Sequence, residues 1–263
     1  MAPSRRSFVV LTLARTGSSW LVDLLDSHPH VVAYGELFGL DGREENGEKY
    51  GRQGFPYFET YLRERRGRRA PLKLVARIGY LNDLLRTHAG TTVGFKLTYK
   101  EASLNPGLLP ALTLRRTPVV HLIRSNALDA VVSWEVARSR RTFHVQDGEQ
   151  LPPLAPVRLD ARSLAQQLDW REFAVTRMRA RILSLRLPYI EAFYEELIGP
   201  RGEEKIAGIL EYLGLEPPPT VLTSRLTRVS DVPTSSAIEN FDEVCDALTG
   251  TRFEWMLGSR ADS

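Results

Sequence analysis

Two hydrophobic periods alternate along the chain, and the points where one gives way to the other organise it. The run "SFVVLTL" (7–13) is short, unbroken and rich in β-branched residues, the composition of a strand covered on both faces. It gives way to "GSSWLVDLLDSH" (17–28), where Trp20, Leu21, Leu24 and Leu25 share one helical face and Pro29 ends the pattern. Strand-like runs recur at "VVAY" (31–34), "TTVGFKLTY" (91–99), "TPVVHLIR" (117–124) and "PYIEAFY" (188–194). Helical spacing fills 55–66 and 78–88, then 126–141 with Asn126 as N-cap, 163–185, and 203–215, closed by Gly214.

This alternation predicts an α/β fold, a parallel sheet with helices on both faces. No seam of composition interrupts the 263 residues, so a single domain is expected. The least patterned stretches, 39–74 and 139–162, read as loops or a lid on the ligand side. The tail beyond "EPPPT" (216–220) reads as polar and weakly patterned. Ligands of such sheets bind beyond the carboxyl ends of the strands, which directs attention to the turns after Leu13, Tyr34 and Ile123.

Composition narrows the function classes. With 43% hydrophobic and 25% charged residues the chain suits a soluble globular protein with a sizeable core. A net charge of +3 is too small to argue for a nucleic-acid partner, and "RERRGRR" (63–69) and "RSRR" (138–141) have solvated helix face or loop as their plain reading. Cys245 is the sole cysteine, which excludes an intrachain disulfide and fits a reducing compartment. The apolar run after "MAPSRRS" (1–7) is too short for a signal peptide, and no run of eighteen apolar residues offers a membrane span, so a cytoplasmic protein is expected. No Cys/His set has zinc spacing, and no metal is expected.

Two stretches carry candidate chemistry. At Arg15-Thr16-Gly17-Ser18-Ser19 a strand hands over to a helix, exposing backbone N–H groups at a helix N-terminus. Gly17 allows close backbone approach, Ser18 and Ser19 add hydroxyls, and Arg15 supplies permanent charge, which together make a phosphate or sulfate cradle. The Walker A pattern with its Lys-Ser/Thr pair is missing. The second stretch is "HLIRSNALDAVVS" (121–133), where Arg124 closes an apolar strand and Ser133 follows on the next helix. Read alone, that pair fits a solvent-facing strand end and an incidental serine as well as it fits an anion site. His28 and His30 flank Pro29 at a helix end and read as structural, His121 reads as a core histidine, and Trp20, Trp134 and Trp170 read as core, with Trp20 able to wall a pocket beside the first turn.

Taken together, "LARTGSSWLVDLLDSHPHVVAYGELF", "GFKLTYKEA", "VVHLIRSNALDAVVSW" and "YIEAFYEELIGPRGEEKIAGILEYLGL" resemble the sulfotransferases that use 3′-phosphoadenosine 5′-phosphosulfate (PAPS), above all bacterial members such as the rhizobial Nod-factor sulfotransferases. The resemblance runs from Ser7 to about Leu215, with a weaker echo in "ENFDEV" (239–244). It implies the P-loop-like sulfotransferase fold, PAPS as donor and adenosine 3′,5′-bisphosphate (PAP) as product. Arg15, Thr16, Gly17, Ser18 and Ser19 would then hold the 5′-phosphosulfate, with Trp20 alongside, and Arg124 and Ser133 the 3′-phosphate. Tyr194 would line the adenine pocket, and Arg225 or Arg228 would add late contacts to the 3′-phosphate.

The chain departs from the cytosolic members in two ways. They carry Lys where Arg15 stands, and a His as base on a strand comparable to "FKLTY", where Lys96 is followed by Leu97, Thr98 and Tyr99. Arg15 would act through charge and hydrogen bonding rather than by giving up a proton. Glu36, directly after the second strand, is the candidate base; its plain alternative is a salt bridge to Arg15 or a helix cap. Arg15 and Lys96 would stabilise the departing bridging oxygen, and a metal is not required for a sulfuryl group of low charge. The acceptor would be a hydroxyl of a glycan, glycolipid or small natural product. A non-catalytic nucleotide-binding member of the same fold and a P-loop phosphotransferase are the rival readings, and a homodimer is left open.

Overall fold

A computed structural model of the chain describes residues 7–39, 54–64, 73–140, 145–146, 155–227 and 234–258. The strands in chain order are β1 (Ser7–Thr12), β2 (Val31–Glu36), β3 (Thr92–Thr98), β4 (Val119–Ile123), β5 (Val145–Gln146), β6 (Tyr189–Phe193) and β7 (Leu226–Thr227). Five of them form one sheet in the order β2-β3-β1-β4-β6, every neighbouring pair parallel, as the alternating pattern predicts. The two-residue strands β5 and β7 pair separately and antiparallel.

β1 lies at the centre because its side chains are apolar in both directions. Phe8 and Val10 face one layer, with helix α1 (Ser18–Asp26) and, numbering the helices in chain order, α9 (Gly202–Leu213). Val9 and Leu11 face the other, with α3 (Lys73–Thr87), α5 (Leu108–Leu114) and α7 (Ala161–Ser184). The remaining helices, in chain order, are α2 (Phe58–Glu64), α4 (Tyr99–Leu104), α6 (Ala127–Arg140), α8 (Tyr194–Leu197), α10 (Thr234–Ala237) and α11 (Phe241–Leu248). From β1 the chain leaves toward β2 and β3, whereas from β4 it leaves toward β6. The turns after β1 and β4 therefore border the point where strand order reverses, the position at which open parallel sheets bind ligands.

A third core joins α6 and α7 to the C-terminal region, where Val244, Leu248, Phe253 and Met256 are buried. That corrects the reading of the tail as weakly patterned. Its apolar positions sit in short segments, an eight-residue helix and a single 3₁₀ turn at Glu254–Leu257, too brief to register as periodic. Trp134 and Trp170, expected in the core, are 44% and 58% exposed. The helical faces that carry them turn outward, while Val132, Val136, Leu164 and Leu168 fill the third core.

His121 is wholly buried, a core histidine as expected, hydrogen-bonded through Nε2 to the Tyr99 hydroxyl at 2.6 Å and with Nδ1 3.4 Å from Glu191 Oε1. His28 is buried too, its Nε2 2.9 Å from the Glu216 carbonyl and its Nδ1 accepting from His30 N. Of the expected acceptor-side stretches, only 39, 54–64, 73–74, 139–140, 145–146 and 155–162 are among the described residues. No described helix is long and apolar enough to cross a membrane.

Candidate active site

The turn after β1 is built from left-handed backbone. Arg15 has φ 68° and Gly17 φ 78°, so the chain reverses sharply and begins α1 at Ser18. A non-glycine residue holds that conformation at a cost of about 1 kcal/mol or more, which surrounding contacts must offset. Thr16 provides one: its buried Oγ1 donates to Leu13 O at 3.1 Å and bonds to the Thr12 hydroxyl, which reaches Leu122 O on β4 at 3.1 Å. Thr16 thus ties the turn to the sheet instead of presenting a free donor. Gly17 lies directly against Tyr194: a Cβ there would come within 2.2 Å of the tyrosine ring. Trp20 meets the same ring edge-on at 6.3 Å. Gly17 caps α1 without a side-chain hydrogen bond, so no side chain of the cap competes for the N–H groups of its first turn.

The second expected site meets the first directly. Arg15 donates to Ser133 Oγ on α6 through Nε at 3.2 Å and Nη2 at 3.0 Å. Arg124, at the end of β4, reaches back through Nη1 to Arg15 O at 3.4 Å, and its Nη2 stands 3.3 Å from Asp129. Its guanidinium lies over the Tyr194 ring, 5.1 Å from the centroid. The Arg124 Nε is buried with no partner among the described residues, a donor left for something else. Arg171, from α7, completes the group by donating through Nη2 to Ala14 O at 2.7 Å. Burial, then the charge of Arg124, brings the Arg15 guanidinium down to about 10; Arg171 also comes down to about 10, through burial and then the charges of Arg124 and Arg15. A cluster under like-charge strain favours a multiply charged anion.

Beside this group, the β2–β3 register sets Glu36 opposite Lys96 across an irregularity between Tyr34 and Glu36. Lys96 Nζ is 2.7 Å from Glu36 Oε1 and donates to Ser19 Oγ at 3.2 Å. Glu36 thus pairs with Lys96, where a bridge to Arg15 was the plain alternative. The chain of contacts Glu36–Lys96–Ser19 links the candidate base to the first turn of α1. Behind it lies Glu101, on α4, whose Oε2 accepts from Thr98 N at 2.6 Å and Thr98 Oγ1 at 2.8 Å, while Oε1 is buried without a partner among the described residues. Its carboxyl is pushed up to about 7, by burial first and then by the charge of Glu36.

The remaining expected residues stand apart from this cluster. Arg225 is held by Asp23 on α1, through Nε at 2.9 Å and Nη2. Arg228 lies outside the described residues. A cavity of about 230 Å³ opens at the ends of β1, β4 and β6 beneath α7, with Arg124, Arg171, Thr16, Ser125 and Thr176 among its lining residues. Sequence reasoning missed two residues. Arg171 gave no signal, being one of several arginines on a long helix. Glu101 had one, the Thr-x-x-Glu spacing of a capping box, which the structure forms at Thr98 and Glu101. No group of three or more His, Cys, Asp or Glu suited to a metal ion occurs among the described residues.

No family model matches the chain. It is 26% identical over 242 residues to Nodulation protein H of Rhizobium meliloti, covering 91% of this chain and 90% of that protein. The counterpart from Rhizobium meliloti strain 1021 is 26% identical over 240 residues, covering 90% and 89%. Two solved structures are loosely alike. One is a sulfotransferase domain from the curacin biosynthetic pathway, with TM-score 0.47, 12% identity and coverage of 88% and 82%. The other is a sulfotransferase domain from the Synechococcus PCC 7002 olefin synthase, with TM-score 0.45, 16% identity and coverage of 93% and 88%. The similarity to Nodulation protein H extends along 91% of this chain and so takes in the Glu36–Lys96 pair and the turn after β4.

Proposed function

We propose that this chain is a sulfotransferase, taking its sulfuryl group from PAPS and delivering it to a hydroxyl of a glycan, glycolipid or small natural product. The observation that carries the reading is the Glu36–Lys96–Ser19 contact chain, which sets a carboxylate and a cation against the helix N-terminus expected to hold the 5′-phosphosulfate. The arginine cluster beside it fits a donor with phosphate at both ends of its ribose: Arg124 has a buried Nε to offer, and Arg15 is already anchored on Ser133.

The donor supplies a sulfuryl group on a phosphate leaving group, and this chain's residues supply orientation and charge. The N–H groups opening α1, with the hydroxyls of Ser18 and Ser19, bind the 5′ end. Glu36, held by Lys96 at 2.7 Å, takes the proton of the acceptor hydroxyl. A bond forms between acceptor oxygen and sulfur as the bond from sulfur to the bridging oxygen breaks, and the bisphosphate departs with that oxygen. Lys96, which reaches Ser19 at the opening of α1, meets with Arg15 the charge growing on the bridging oxygen, and the contacts of Arg15 with Ser133 and Arg124 join it to the groups that take the 3′-phosphate.

An acceptor screen with radiolabelled donor sulfate, run in EDTA, tests the reading. Label should appear on at least one hydroxyl-bearing acceptor with the metal chelated. Transfer only after addition of Mg²⁺, or phosphoryl transfer from ATP, would point to the phosphotransferase alternative.

A further inference from the structure

Arg171 projects from α7 into the cavity that Arg124 also lines, at the join between the two anion-binding turns. Its hydrogen bond to Ala14 O satisfies a donor but neutralises no charge. Arg124 has Asp129 at 3.3 Å, whereas no carboxylate pairs with Arg171 among the described residues. Its neighbours on α7 are committed elsewhere: Glu172 pairs with Arg252 at 2.9 Å, and Arg179 with Glu191. Guanidinium groups from the first turn, from the end of β4 and from α7 thus converge, and the one from α7 has no carboxylate of its own among the described residues. Burial and the charges of its two neighbours strain Arg171 accordingly.

Resting on the donor reading above, we infer that Arg171 is a specificity-determining residue: with Arg124 it reads the 3′-phosphate, the charge that separates this donor from nucleotides phosphorylated at the 5′ position alone. A merely structural Arg171, holding Ala14 in place, would make a different prediction. Its loss would loosen the turn that receives the 5′ end and weaken every adenine nucleotide alike.

Titration calorimetry on the full chain separates the two, with adenosine 3′,5′-bisphosphate and adenosine 5′-monophosphate as probes and melting curves confirming that each variant folds. Arg171→Gln should lose about 10- to 100-fold in affinity for the bisphosphate, the range for one charge-assisted contact, and less than about twofold for the monophosphate. Arg171→Lys, which keeps the charge but not the planar fork, should recover part of the loss. An equal loss on both probes, or none on either, overturns the role of Arg171 and leaves the donor reading standing. A wild-type chain with no preference for the bisphosphate sinks the donor reading, and this inference with it.

Discussion

Arg15 and Ser133, separated by 118 positions, share two hydrogen bonds that join the turn after β1 to the helix after β4. The donor's two anionic ends would therefore be received by one connected set of side chains, and the set is braced before any ligand arrives. Ser133→Ala removes the acceptor for Arg15 and leaves the arginine to find its own position. Affinity for the bisphosphate should fall about 5- to 10-fold, the worth of roughly 1 kcal/mol of hydrogen bonding. Unchanged affinity would mean that the Arg15–Ser133 contact has no part in binding.

Gly17→Ala sets a Cβ where the Tyr194 ring already is, on backbone at φ 78°. Strain and clash together should cost at least about 2 kcal/mol, lowering Tm by roughly 4–8 °C. Combining it with Tyr194→Ala should return less than full stability, because the clash is relieved and the backbone strain is not. A Tm equal to wild type in the single variant would show that Gly17 and Tyr194 are not packed as described.

Glu36→Gln keeps the shape of the candidate base and removes its proton affinity. Turnover should drop about 10²- to 10⁴-fold while bisphosphate affinity stays within about twofold, since the nucleotide's own contacts are untouched. The pair with Lys96 has Glu36 34% exposed, so little stability is lost with it. Retained turnover would remove Glu36 from the role.

Two buried groups oppose each other in the dependence of stability on pH. Glu101 is pushed up from 4.5 to about 7, so the folded chain keeps a proton that the unfolded chain releases, and stability falls as pH rises through that window. His121 is held down from 6.5 to about 4, chiefly by burial, so the folded chain refuses a proton that the unfolded chain takes, and stability falls as pH drops through that window. Glu101→Gln leaves only the histidine slope. Urea unfolding between pH 5 and 8 should then show stability rising more steeply with pH than in wild type. By pH 8 the variant should be ahead by on the order of 1–3 kcal/mol. A shift that is the same at every pH would show that Glu101 does not titrate in this range.

The sheet was legible because its strands are buried on both faces and their apolar runs are unbroken, as in "FVVL" of β1 and "VVHLI" of β4. Strand ends came within a few residues, and with them the turns at Leu13 and Ile123 that carry Arg15 and Arg124. Short helices were not legible. α4 and α5 fill 99–114, where the capping box and the turn at Gly107 set the boundaries and no long period exists to be seen. The pairing of Arg15 with Ser133 was hidden for another reason, since each residue has a plausible local reading and only the sheet order places their turns side by side. Arg225 shows the reverse, a cation that sequence position made available and Asp23 has claimed.

The central claim is that the carboxyl edge of the sheet between β1 and β4 receives a nucleotide with phosphate on both sides of its ribose. A crystal structure grown with adenosine 3′,5′-bisphosphate tests it most directly. The 5′-phosphate should lie on the N–H groups of Ser18 and Ser19, with the 3′-phosphate within hydrogen-bond distance of Arg124 and Ser133. A nucleotide bound elsewhere, or one whose 3′-phosphate points to solvent away from Arg124, would contradict the account.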